Sequence, residues 1–224
     1  MTRVAALLAA LLSVARVAPA QTAAMPTDRR GPGFELDVAG VFTAPVALGQ
    51  SSATYRRPDG GLFPLFRTED RAAAGLGAEV HAGVGISSRI SLEGTAGWSQ
   101  AELRSEITSD VEGATGDVLS DRITRFKAEG SVLCTLVQRG STSFFARGGI
   151  GVMRELSSDS IYAVTGTIGN AGAGVKYWKH TASGRRRLGL RVEGRAAIRA
   201  RGISVGSSTT VIAPEVSGGI MFGF

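Results

Sequence analysis

Eight stretches of this chain alternate residue by residue between an apolar or small set and a set holding most of the charge that the stretches contain. That period of two is the signature of a β-strand with chemically different faces. In 33–43, Phe34, Leu36, Val38, Gly40 and Phe42 oppose Glu35 and Asp37. In 72–86, Leu76, Val80 and Val84 oppose Glu79 and His81, and in 90–103, Leu92, Gly94, Ala96 and Trp98 oppose Glu93, Thr95 and Ser99. Phe126, Ala128, Val132 and Cys134 oppose Arg125, Lys127 and Glu129 in 123–137, while Phe144, Ile150 and Val152 oppose Arg147, Met153 and Glu155 in 143–155. The stretch 163–178 is the least regular and has room for a bulge. In 187–199, Leu188, Leu190 and Val192 oppose Arg191, Glu193, Arg195 and Arg199, and 210–224 carries Glu215 on its polar face.

The phasing predicts one face free of charge, which is what hydrocarbon demands of a surface. A water-soluble sandwich would alternate as well, but its apolar face would need larger side chains to fill a protein core. Here that face mixes Ala and Gly with Leu, Val and aromatics, and lipid tails fill such gaps without help. The connections alternate roughly between long (44–71, 104–122) and short (87–89, 138–142), as long outer loops and short inner turns do. On this reading Phe34, Phe144, Tyr177, Phe222 and Phe224 form one aromatic girdle, and Phe42, Trp98 and Phe126 the other. The fold expected is all-β: an eight-stranded antiparallel up-and-down transmembrane β-barrel over 33–224.

Both ends fit export. Arg3, an apolar run from Val4 to Val14 and the small-x-small pair Ala18 and Ala20 read as a signal peptide over 1–20, cut after Ala20. A short periplasmic segment, 21–32, follows. The run is too short for a spanning helix, which needs about 20 apolar residues. Of 25 Lys plus Arg, Arg3 and Arg16 leave with the signal, so 23 bases face 19 acids. An excess of +4 argues for no polyanionic partner, nucleic acid included. Cys134 is the only cysteine, so no internal disulfide is expected.

At the other end the chain closes on Ser217, Gly219, Phe222 and Phe224, in the order polar, Gly, aromatic, aromatic. This resembles the C-terminal sorting signal of bacterial outer-membrane barrels. With the strand pattern, the whole mature chain resembles the small OmpA/OmpX-like barrels of Gram-negative outer membranes. The resemblance implies a porin-like, integral outer-membrane monomer. Its partners would be outer-membrane lipids, lipopolysaccharide and, during biogenesis, the barrel-insertion machinery. It implies no anchoring to peptidoglycan, since the chain ends with its eighth strand.

A barrel of eight strands is only wide enough for side chains to fill. The charges on its inner face must therefore pair, because desolvating them singly is prohibitive. The expected network comprises Glu79, His81, Glu93, Arg125, Lys127, Glu129, Arg147, Arg191, Glu193 and Arg195. The first reading is a salt-bridged plug beneath a structural or surface-contact role; the alternative is a narrow gated pore opened by re-pairing of Glu and Arg. A lipid A-modifying enzyme is the remaining class. Its Ser-His-acid triad would sit on the lipid face, whereas His81 phases inward and His180 falls in an inner turn. No catalytic residues, cofactor or metal site are expected. The segments 44–71 and 104–122 hold Tyr55, Phe63 and Phe66, with Arg56, Arg57, Arg67, Arg71, Arg104 and Arg122 in or beside them, a set suited to external contacts and to lipopolysaccharide phosphates.

Overall fold

The computed structural model describes residues 33–110, 116, 118–158, 163–180, 187–200 and 210–224. The strands are β1 (Phe34–Thr43), β2 (Val46–Arg56), β3 (Leu62–Ala72), β4 (Gly75–Gly85), β5 (Ile90–Asp110), β6 (Val118–Arg139), β7 (Thr142–Ser157), β8 (Ala163–His180), β9 (Arg187–Ala200) and β10 (Thr210–Gly223). All pairings are antiparallel. β1 and β4 to β10 form a closed ring of eight strands, sealed by β1 against β10 and by β5 against β6. At the seam Phe224 donates its backbone N–H to the Phe34 carbonyl at 2.9 Å, and the two rings lie 6.0 Å apart. The signal segment, its cleavage residues Ala18 and Ala20, and 21–32 lie outside the described residues.

The register fixes the shape. Partners followed once around the ring run Asp37, His81, Thr95, Glu129, Gly151, Ile168, Arg199, Val211. Yet the direct partner of Asp37 on β10 is Met221, ten residues past Val211. That stagger forces the strands to tilt, typically by about 35–45°. Side chains alternate as the sequence phasing predicts, with Phe34, Val38, Trp98, Val132, Leu190 and Ile220 exposed on the outside and Glu79, His81, Arg147, Arg191 and Glu193 buried inside. The barrel is therefore inside-out relative to a soluble protein: apolar outside, charged within. This is the eight-stranded transmembrane β-barrel.

Four expectations need correction. The segment 44–71 is not a loop but strands β2 and β3, joined by a tight turn at Arg57–Gly61 in which Gly60 donates to the Arg57 carbonyl at 2.9 Å. Much of 104–122 is also strand, because β5 and β6 run for 21 and 22 residues where roughly 9–11 cross a bilayer. The outward face is not wholly uncharged: Glu102 and Arg154 are on it, Glu102 four residues past Trp98 and Arg154 paired directly with Phe126 of the outer girdle. No bulge interrupts the pairings of β8; in the ring the register shift falls instead at Thr135/Val137, near the short turn into β7.

The extra strand length builds a second region. β2, β3 and the upper parts of β5 and β6 continue as a four-stranded sheet beyond the ring, in the order β2-β3-β5-β6. The polarity of its outward face reverses along β5, from Trp98 through Gln100 to Glu102 and Arg104, where water replaces hydrocarbon. Glu102 pairs with Arg104 at 3.1 Å, and Glu69 with Arg71 at 2.7 Å.

Candidate functional site

The lumen gathers all ten residues of the expected charge network, together with others of the same strand parity. Eight carboxylates (Glu35, Asp37, Glu79, Glu93, Glu129, Glu155, Glu193 and Glu215) meet seven Lys and Arg (Arg125, Lys127, Arg147, Lys176, Arg191, Arg195 and Arg199). The middle is a connected web. Arg195 donates to Glu79, and its Nε donates to Glu215 at 2.8 Å. Lys127 also contacts Glu79 and donates to Glu215 at 3.2 Å. Arg147 reaches Glu193 at 3.1 Å and Glu93 at 3.2 Å while donating to Ser131 at 2.7 Å. Arg191 donates to Glu93 at 2.6 Å and also to Glu193.

His81 lies between two carboxylates, Nε2 at 3.3 Å from Glu79 and Nδ1 at 3.1 Å from Glu93, with the Thr95 hydroxyl 3.0 Å from Nδ1. A smaller cluster sits nearer the outer mouth, where Arg125 and Arg199 share Glu155 at 2.6 and 2.7 Å. Buried charges at these distances hold only as a set, since removing one strands its partner without water.

Apart from Met153, which it phased inward with Arg147, the sequence reading missed the apolar part of this interior. Phe145, Trp178, Met221 and Leu133 are buried at the end bearing both short turns, and Ile168 and Met153 near the mouth. At the lower end Arg191 lies over the Phe145 ring at 4.9 Å and Arg187 over Trp178 at 4.9 Å. Parity was the available signal: Phe145 shares a face with Arg147, Trp178 with Lys176, Met221 with Ser217.

Glycine has a particular use here. A Cβ on Gly151 would lie 2.2 Å from the Ala128 carbonyl and 2.8 Å from Glu129 Cγ; one on Gly174 would lie 2.6 Å from the Phe145 ring. These inner glycines provide the space in which neighbouring Glu, Arg and Phe side chains lie across the barrel. Outer glycines are different. Nothing lies within 4 Å of a Cβ on Gly130, and with Gly94 and Gly148 it floors a lipid-side depression of about 680 Å³.

Of the terminal-strand residues, Phe222 and Phe224 face outward, Ser217 is buried in the lumen and Gly219 pairs with Ala39. Cys134 faces outward, and His180 is the last residue of β8 rather than part of a turn. Among the described residues no group of His, Cys, Asp and Glu is arranged to hold a metal ion.

Fold and lumen together define the class: an eight-stranded transmembrane barrel whose interior is packed with ion pairs. No family model and no curated protein matches the chain. Among solved structures it is similar to the outer membrane protein OprG from Pseudomonas aeruginosa (13% identity, 87% of this chain and 97% of that one, TM-score 0.47). Neisserial surface protein A is similar at 12% identity, 87% and 100% coverage and TM-score 0.47. The outer membrane protease OmpT from Escherichia coli is similar at 8% identity, 89% and 100% coverage and TM-score 0.33.

Proposed function

We infer that this chain is an integral protein of a bacterial outer membrane, exported by a cleaved signal, whose barrel is a closed scaffold for surface contacts made by its extension. The observation that carries this reading is the polarity reversal along β5. An apolar outer surface ends at Trp98, and a charged, hydrogen-bonded sheet continues past it for as long again as a membrane crossing. A barrel serving membrane integrity alone has no need of a four-stranded platform standing in water. The lumen supports the closed reading, because side chains from every strand meet across it and Phe145, Trp178 and Met221 fill its lower end. Outer-membrane lipids and lipopolysaccharide surround the ring on this view, and the terminal strand with Phe222 and Phe224 is its address to the insertion machinery.

Two measurements test the reading. Cell fractionation and heat-modifiable gel mobility should place the processed chain in the outer membrane, and protease added to intact cells should cut at the turn Arg57–Gly61. A soluble periplasmic chain ends the proposal. Planar-bilayer recording decides between plug and pore. A silent bilayer is expected, whereas resolvable steps that change in Arg147→Ala would establish the gated pore. That second reading is favoured by one feature, the ability of Arg147 to reach Glu93 and Glu193 at nearly equal distance.

A further inference from the structure

The extension does not end as it begins. Its collar is mixed in charge, with Glu69, Glu102, Glu106 and Asp121 against Arg71, Arg104 and Arg122, while Asp70 is buried on the Ser105 hydroxyl. Its tip, residues 53–67, carries Arg56, Arg57 and Arg67 against Asp59, with Asp110 of β5 paired opposite Phe66. The Asp59 carboxylate is engaged in the turn, accepting the Gly61 N–H at 2.9 Å. Around these cations stand apolar side chains that stay exposed among the described residues: Leu62 is 71% exposed, Tyr55 54%, Phe66 42% and Leu65 40%. Leu65 is the extra residue of a bulge, since Thr54 pairs with Pro64 and Ala53 with Phe66. Bulges of this kind re-aim a side chain. Arg57 lies over the Phe63 ring at 5.0 Å.

Read outward along the chain, the surface is apolar at the ring, charged at the collar, then apolar and cationic at the tip. Tyr55 lies thirteen residues past Phe42, about 40 Å of extended chain at ~3.3 Å per residue. The tip is thus a second amphiphilic surface, separated by the polar collar from the one that holds the barrel in its membrane.

We propose that the β2–β3 tip docks onto an opposing bilayer bearing anionic phospholipid, inserting Leu62, Leu65 and Phe66 while Arg56, Arg57 and Arg67 pair with head-group phosphates. This deepens, and rests on, the reading of the extension as a surface-contact platform. The composition selects the partner. Apolar side chains set among Arg are what seat a peripheral element at the boundary of head group and acyl chain, and Arg adds electrostatic attraction to an anionic leaflet. A sulfated polysaccharide would also engage the arginines, but it offers nothing to two exposed leucines.

The test uses the full chain in phosphatidylcholine nanodiscs, mixed with vesicles of phosphatidylcholine alone or with roughly a third phosphatidylglycerol. Co-flotation is expected only with the anionic vesicles and should weaken as salt is raised. The double variant Arg56→Gln/Arg57→Gln should lose roughly thirtyfold in affinity. Leu62→Ser/Phe66→Ser should lose at least about tenfold. Unchanged heat-modifiable mobility shows that each variant keeps its barrel. Equal binding to uncharged vesicles, indifference to both variants, retention on heparin without vesicle binding, or no binding at all each overturns the proposal. None of these touches the outer-membrane reading, which fails only if the chain fractionates elsewhere.

Discussion

The ring and its extension share β5 and β6, use the same alternation and solve opposite problems. In the ring, hydrocarbon lies outside, so charges point inward and must be paired within a space that only side chains fill. In the extension, water reaches the outer face, and Glu69, Arg71, Glu102 and Arg104 occupy positions that Val and Leu hold below. Register differs too. In the ring the pairings shift once, at Thr135/Val137 beside the short turn into β7, whereas the β2–β3 and β3–β5 pairings shift at Ala47/Gly49, Ala53/Thr54 and Arg67/Thr68. A one-residue slip inside a membrane would turn a whole face of charges into lipid. In water the same slip costs little, and here it serves to aim Leu65. Tolerance of irregularity is a property of the solvent as much as of the strand.

Substitutions sharpen this contrast, beginning with the strongest. Replacing Glu79 by Ala leaves Arg195 and Lys127 to share Glu215 in the lumen and takes a carboxylate from His81, and should cost about 3–5 kcal/mol in urea unfolding from lipid vesicles. A cost near zero would show that the web admits water freely. Val192→Lys, at mid-height on the lipid side, should cost about 2–4 kcal/mol, while the same change at Ser52 on the extension should leave unfolding unaltered. If both changes are harmless, hydrocarbon does not touch the ring.

Gly151→Ala forces a methyl against the Ala128 carbonyl and should cost about 1–3 kcal/mol by overpacking. Gly130→Ala, facing open space, should be close to neutral in the same assay. Glu69→Gln removes an exposed pair and should change nothing measurable, as surface ion pairs contribute little. A clear loss there would mean that the collar braces the barrel.

The ring was legible from parity alone, since the solvent on each face is written in residue type. The lumen charges were legible for the same reason. The apolar lower end was readable too, because Phe145 and Trp178 stand in phase with Arg147 and Lys176, but attention to charge passed over them. The extension was not readable in this way. With Pro58, Pro64 and adjacent glycines, 44–71 has the composition of a loop, and Ser-rich or mixed-charge strands in water show no apolar face to count. Its strands exist because β5 offers a hydrogen-bonding edge at Leu103–Asp110, and one segment's sequence carries no record of its partner's edge.

Sequence by itself determined that eight segments cross, which of their side chains meet lipid and which turn inward, because that alternation repeats every two residues and each face has a solvent of its own. Tertiary structure alone decided which Arg meets which Glu. Arg195 and Glu79 are 116 residues apart, and only the ten-residue stagger of a closed ring brings them level. Closure also decided where glycine was required, because the room a side chain needs in the lumen is set by the strand beside it.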